Sequence, residues 1–349
     1  MEYPFFVPDF FKFMTSADCS SNELLIPQKF CDMQHNALSG NWILSIRNGY
    51  KIDVAYDQQS RKLIGLLDLF TDFQLVGGEI LLFEYVDNSN FKLYIVGEDG
   101  NEIKYPAIVH SSQTSSPIPV STNNGGWKFV KFLSLAHPTL DEIVPPRSFL
   151  RMYGGQIPEW FTYVLKNHFI FGGHYEFLHR KLSGLSSICQ GLRLDNFDRL
   201  ELLVFTYDGD RIFRLSLFDG RNVEVGLDIN VITYGNLRFR IRYPIQFNIE
   251  VMPSHMLRYC PGVTIPVEFK RFTNLWKKND TIWVYKGSLS WEFEIRKSGK
   301  GKRTTIHGGW IHFRNALQLN VGDRCFFRWI NESYNHFRVE IVKPFLLNS

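Results

Sequence analysis

The chain has 349 residues, 44% apolar and 15% aromatic, including 31 Phe, and a net charge of +4. That length exceeds one ordinary domain, and so aromatic a chain is not of the disordered class. No apolar run of about 18 residues and no basic start with a small-residue cleavage site is present, so a membrane-spanning or secreted protein is not expected.

The five cysteines, Cys19, Cys31, Cys189, Cys260 and Cys325, show no CxxC spacing, which speaks for reduced, mostly buried thiols and against a zinc site. Charge is uneven along the chain. Residues 1–105 hold 8 basic and 15 acidic side chains, a net of −7; residues 106–245 hold 15 and 12, a net of +3; residues 246–349 hold 16 and 8, a net of +8. The last third is therefore where a polyanionic partner is expected.

In chain order, the first region opens on LLIPQKF at 24–30 and continues with the strand-like run WILSI at 42–46. Gly65, Leu75, Gly78, Glu79 and Phe83 follow, then the strand FKLYIV at 91–96. A Ser, Thr, Asn, Pro and Gly-rich stretch at 106–126 reads as a flexible linker. The middle region carries fainter landmarks: Pro146 with Phe149, then Phe197, Leu200, Glu201 and Phe205, then RIFRLSLF at 211–218. The last region repeats the first, with VTIPVEF at 263–269, TIWVY at 281–285, Gly309, Leu319, Gly322, Asp323 and Phe327 at identical spacing, and FRVEIV at 337–342.

An ordered set recurring at about a hundred residues indicates duplicated domains rather than a solenoid, whose repeats run about 20–50 residues. In IP-x-x-F the proline suits a strand end or a first helical turn, and the Phe one turn on faces a core. Trp310, Phe313, Ala316 and Leu317 sit at helical spacing, and the NVGD turn reverses the chain before RCFFRW. The expected fold is mainly β: three tandem seven-stranded open barrels, each with two short helices, at 1–105, 127–245 and 246–349.

These landmarks resemble the plant-specific B3 DNA-binding domain, in which L-x-IP-x-x-F precedes strands and GW-x-x-F leads into L-x-x-GD. The last copy carries Ile265, Pro266, Phe269, Trp291, Gly309, Trp310, Phe313, Leu319, Gly322 and Asp323. The first copy has Gly65 and Leu66 at the GW pair and Glu79 for the aspartate; the middle copy is read with Ser187 and Ile188 at that pair and Leu200 at the later glycine. The tandem arrangement resembles the reproductive-meristem branch of the family. The resemblance implies a seven-stranded pseudobarrel that grips the major groove with two arms, here PSHMLRYCPG at 253–262 and RKSGKGKR at 296–303.

RKSGKGKR places five cations in eight positions between two strand-like runs. Lys297, Lys300 and Lys302 suit phosphates, and Arg296 and Arg303 also suit bidentate contact with guanine. Ser254, His255 and Arg258 are the candidates of the companion arm, with Arg61, Lys62, Arg180 and Lys181 as auxiliary contacts from the other copies.

The acidic first region is expected to be repelled by DNA and to meet other proteins of its family or a second copy of itself. His174/His179 and His307/His312 lack metal-site spacing, no catalytic motif stands out, and neither enzyme activity nor a cofactor is expected. The sequence reading is thus a nuclear, sequence-specific binder of double-stranded DNA acting in transcription. The alternative is a non-catalytic scaffold of such barrels.

Overall fold

The computed structural model describes residues 7–34, 38–106, 126–133, 141–166, 169–194, 197, 200–226, 245–277, 279–298, 303–330 and 335–344. Three curled sheets follow one another along the chain, with short helices between strands. The first holds β1 (Phe10–Phe13), β2 (Glu23–Leu25), β3 (Asn41–Ile46), β4 (Lys51–Asp57), β5 (Lys62–Ile64), β6 (Ile80–Tyr85) and β7 (Asn90–Val96), in the order β1-β6-β7-β3-β4-β5-β2. The second holds β8 (Trp127–Phe132), β9 (Trp160–Leu165), β10 (Ile170–Glu176), β11 (Lys181–Ser183), β12 (Leu200–Tyr207) and β13 (Ile212–Asp219), in the order β11-β10-β9-β13-β12-β8. The third holds β14 (Gln246–Glu250), β15 (Val263–Thr264), β16 (Thr281–Lys286), β17 (Leu289–Ser298), β18 (Arg303–Ile306), β19 (Arg324–Trp329) and β20 (His336–Val342), in the order β14-β19-β20-β16-β17-β18-β15.

The three share one topology. Each contains a single parallel pair, β3 with β7, β9 with β13 and β16 with β20, and its other pairs are antiparallel. The strands alternate apolar-inward and polar-outward where one face is wet, as in the pattern of β4 and β17, which places one aromatic-rich core inside each curl.

The middle sheet has six strands among the described residues, not the expected seven. A single bridge, Ile143 with Leu182, stands where β2 pairs with β5 and β15 with β18. The reason is Pro145. At the matching positions the N–H groups of Ile26 and Ile265 donate to the carbonyls of Arg61 and Thr304 at 2.9 and 3.0 Å. Proline has no N–H to extend the ladder.

A second correction concerns the glycine–aromatic pair of the middle copy. Gly65, Gly184 and Gly309 precede equivalent helices with φ of 101°, 97° and 84°, and a Cβ on Gly184 would lie 2.5 Å from the Gly172 carbonyl oxygen. Gly184 and Leu185, not Ser187 and Ile188, therefore occupy that place, and Leu185 is fully buried. Leu194, not Phe197, matches Leu75 and Leu319: each N–H closes on the carbonyl five residues back, after a residue of positive φ, Arg193, Gln74 or Gln318. Three extra residues between Leu194 and Phe205 shifted the register read from the sequence.

The first two sheets belong to one compact unit and the third to another. Most of the 106–126 stretch lies outside the described residues, but bonds on either side of it join the first two barrels. Bridges link Asn101 with Phe129 and Phe10 with Val223. Phe11 packs edge-on against Phe132 and Phe218. The Arg47 guanidinium forks onto the fully buried Glu102, at 2.8 Å from Nε and 3.0 Å from a terminal nitrogen, and also donates to the Gly126 carbonyl. Lys166 bridges Asp9 and Glu224 at 3.0 and 2.8 Å.

Candidate nucleic-acid interface

In the third barrel β17 and β18 form a hairpin, with Arg296 opposite Thr305, Lys297 opposite Thr304 and Ser298 opposite Arg303. β15 pairs with the return strand, Val263 opposite Ile306 and Thr264 opposite Thr305. The ends of both arms thus share one three-stranded ribbon. Strand alternation turns Ile295 and Ile306 into the core and leaves Arg296, Ser298 and Arg303 exposed.

The two arginines are held but not neutralised by the contacts they make. Arg303 Nε donates to Thr264 Oγ1 at 3.0 Å, tying the second arm to the end of the first, and an Arg296 terminal nitrogen lies 3.1 Å from His307 Nε2. Lys297 differs: it is half-buried, and its ammonium donates to the Trp276 carbonyl. Lys300 and Lys302 lie outside the described residues.

The first arm begins with a 3₁₀ turn, Pro253–Met256. Ser254 and Arg258 are exposed, and the Arg258 guanidinium lies 5.6 Å from the ring centroid of the exposed Tyr259. His255 is half-buried, and its Nδ1 accepts from the Met252 N–H at 3.1 Å. Burial lowers its pKa, opposed by a hydrogen bond to the Glu250 backbone. The His255 carbonyl accepts from Trp310 Nε1 at 3.1 Å and from the buried Arg314. The helix Trp310–Ala316 therefore anchors the root of the arm, and His255 is part of that anchor.

The same ribbon positions can be read in the other barrels by strand register. Tyr56 opposes Leu63 and Tyr175 opposes Leu182, as Ile295 opposes Ile306, so Asp57, Glu176 and Arg296 are equivalent. Likewise Leu24, Ile143 and Val263 align, which makes Glu23, Glu142 and Gly262 equivalent. The first two barrels thus carry two carboxylates where the third carries an arginine and a glycine. Lys62 pairs with Glu23, and Lys181 with Glu142 at 2.7 Å. Asp57, bonded by Ser60, and Glu176, bonded by His179, both have lowered pKa values and stay ionised at neutral pH. Arg61 and Arg180 take positive φ at 56° in the tight turns of these hairpins, with Arg180 exposed and Arg61 partly so.

Sequence reasoning missed Thr264, Trp276 and Arg314, which hold the arms in place. Trp276 is buried against Phe269 and Phe337, each with ring centroids 6.1 Å away. A tryptophan seven residues after the IP-x-x-F phenylalanine was the signal that could have found it.

Residues 247–344 match the family model described as the B3 DNA binding domain. The solved structure of a hypothetical Arabidopsis thaliana protein is similar at 22% identity and a TM-score of 0.23, over 28% of this chain and 88% of that one. No curated protein matches the chain. The C-terminal barrel, residues 247–344, thus matches a DNA-binding, non-enzymatic family, and double-stranded DNA is the partner that the match supports.

Proposed function

We propose that the chain is a nuclear, sequence-specific DNA-binding protein of transcriptional regulation, a tandem B3 protein similar to the reproductive-meristem branch, in which the C-terminal barrel reads the major groove with two arms. The charge pattern at the ribbon carries this reading: Asp57 and Glu176 give way to Arg296, and Glu23 and Glu142 to Gly262. Cations of the ribbon would release counterions from phosphates, while Arg258, Arg296 and Arg303 are long enough and exposed enough to reach base edges. Ser254 adds a hydroxyl for phosphate or base; Lys297 supports the second arm from beneath. Selection of duplexes from a randomised pool by the full chain tests the proposal. Enrichment of a short motif supports it, and recovery of an unenriched pool refutes it.

A scaffold role fits the first two barrels, which would meet other proteins of the family or a second copy. Trp160, Ile170 and Leu178 of the middle barrel are 67%, 68% and 85% exposed, far more than a sheet needs for its own packing. Domain limits of 1–105, 127–245 and 246–349 go with this division of labour.

A further inference from the structure

We propose that a basic ledge on the C-terminal barrel, formed by Lys270, Arg271 and Lys277, is a third contact with double-stranded DNA that holds backbone phosphates flanking the base pairs read by the two arms. The proposal rests on the DNA-reading role of the arms. The run from 270 to 278 holds four cations and no acid. In the helix Lys270–Thr273 and the turn after it, Lys270, Arg271 and Lys277 are all exposed. Among the described residues none of the three forms an ion pair with a carboxylate, whereas Arg324 and Lys343 of the same barrel pair with Glu250 and Asp323.

The ledge is fastened to the second arm. Lys297 donates to the Trp276 carbonyl, the Ile295 N–H donates to the Asp280 carbonyl at 2.8 Å, and the Lys277 N–H donates to Asp280 Oδ2 at 3.0 Å. Buried Trp276 and Thr273 root the segment in the core, with the Thr273 hydroxyl donating to the Lys270 carbonyl at 3.2 Å. The backbone beside Lys277 thus lies within the reach of one lysine side chain from β17, one residue past Arg296. By strand alternation Lys297 reaches this backbone from the side of β17 away from Arg296, so a duplex held by the arms would meet the ledge with phosphates that lie beyond the edge of the ribbon. The sequence-blind character of the ledge follows from chemistry: exposed lysines bind phosphate oxygens as point charges and carry little base information.

The test uses the full chain with Lys270→Gln, Arg271→Gln and Lys277→Gln combined, compared with Arg296→Ala/Arg303→Ala. Binding is followed across a salt series on an enriched duplex, on the same duplex cut back to its motif, and on a base-shuffled duplex. The ledge variant should flatten the salt slope by about 0.9 for each phosphate that is no longer neutralised, weaken enriched and shuffled duplexes by the same factor, and match the wild type on the truncated duplex. A companion variant, Lys270→Arg/Lys277→Arg, should keep the wild-type slope. An unchanged slope in the Gln variant, with thermal unfolding also unchanged and the arm variant still impaired, overturns the ledge alone. Absence of any motif-dependent binding by the wild-type chain would instead remove the arm reading, and the ledge with it.

Discussion

The rings of Phe129 and Phe205 stack face to face, 4.7 Å between centroids and 4° between planes, and so join β8 to β12 across the core of the middle barrel. Phe10 with Phe83 and Phe247 with Phe327 repeat the pair at 4.5 and 4.8 Å. A third ring tilts onto each: Phe149, Phe30 and Phe269 at 4.6, 4.5 and 4.8 Å. This three-ring unit is the common core on which the divergent arms are mounted.

Phe327 is fully buried, so Phe327→Ala removes its packing and leaves a cavity. The C-terminal barrel should lose about 3–5 kcal/mol of stability, read by denaturant titration of the full chain with tryptophan fluorescence. Phe327→Leu should cost less. A loss under about 1 kcal/mol for the alanine variant would show that the ring unit does not organise the core.

How much of this was legible in the sequence can be judged from the same residues. Phe30 and Phe269 each stand three places after the proline of Ile-Pro, and Phe83 and Phe327 keep one spacing from Gly65 and Gly309, so the repeat and the β fold could be read directly. The middle copy misled because three residues were added after Leu194, and spacing counted back from Phe205 fell on Ser187 rather than on Gly184. Pro145 could be seen, but the N–H it lacks matters only once Leu182 is known to lie opposite Ile143. At the arms, cation content was legible. The carboxylates that neutralise Lys62 and Lys181 were not, since Glu23 and Glu142 are 39 residues away in sequence and only strand register brings them together.

Asp9, in the joint between the first two barrels, has its pKa pushed up to about 7, first by burial and then by the neighbouring Glu224, with Lys166 opposing. Its folded pKa lies above its unfolded one, so between pH 3.8 and about 7 the folded chain binds more protons than the unfolded chain. The contribution of this group to stability is therefore present at low pH and lost as pH rises through that window. Asp9→Asn should shrink the fall in stability of the first two barrels between pH 5 and pH 8, as followed by thermal unfolding. An identical fall in both proteins would contradict this assignment.

Arg47 satisfies Glu102, which has no exposure of its own. Arg47→Ala would leave that carboxylate without its countercharge, with the Tyr105 hydroxyl and the Lys128 N–H as its remaining donors, and should cost the joined barrels about 3–5 kcal/mol. Arg47→Lys should recover only part, because an ammonium cannot reproduce the two-pronged contact. Denaturant unfolding checks both, and full recovery by lysine would show that charge alone matters here.

Lys297→Ala removes the donor to the Trp276 carbonyl. The expected result is a barrel less stable by about 1–3 kcal/mol, with a salt slope for DNA binding close to that of the wild type. A clear flattening of the slope with unchanged stability would make Lys297 a phosphate contact rather than a support of the arm.

On the proposed function, the arms of the C-terminal barrel carry base discrimination. Its most direct measurement is the affinity ratio between an enriched duplex and its base-shuffled counterpart, taken at one salt concentration for the full chain and for Arg296→Ala/Arg303→Ala. The ratio should collapse in the variant, by about 1–3 kcal/mol for each bidentate base contact removed, while thermal unfolding stays near that of the wild type. A ratio that survives the double substitution would place base reading elsewhere in the chain.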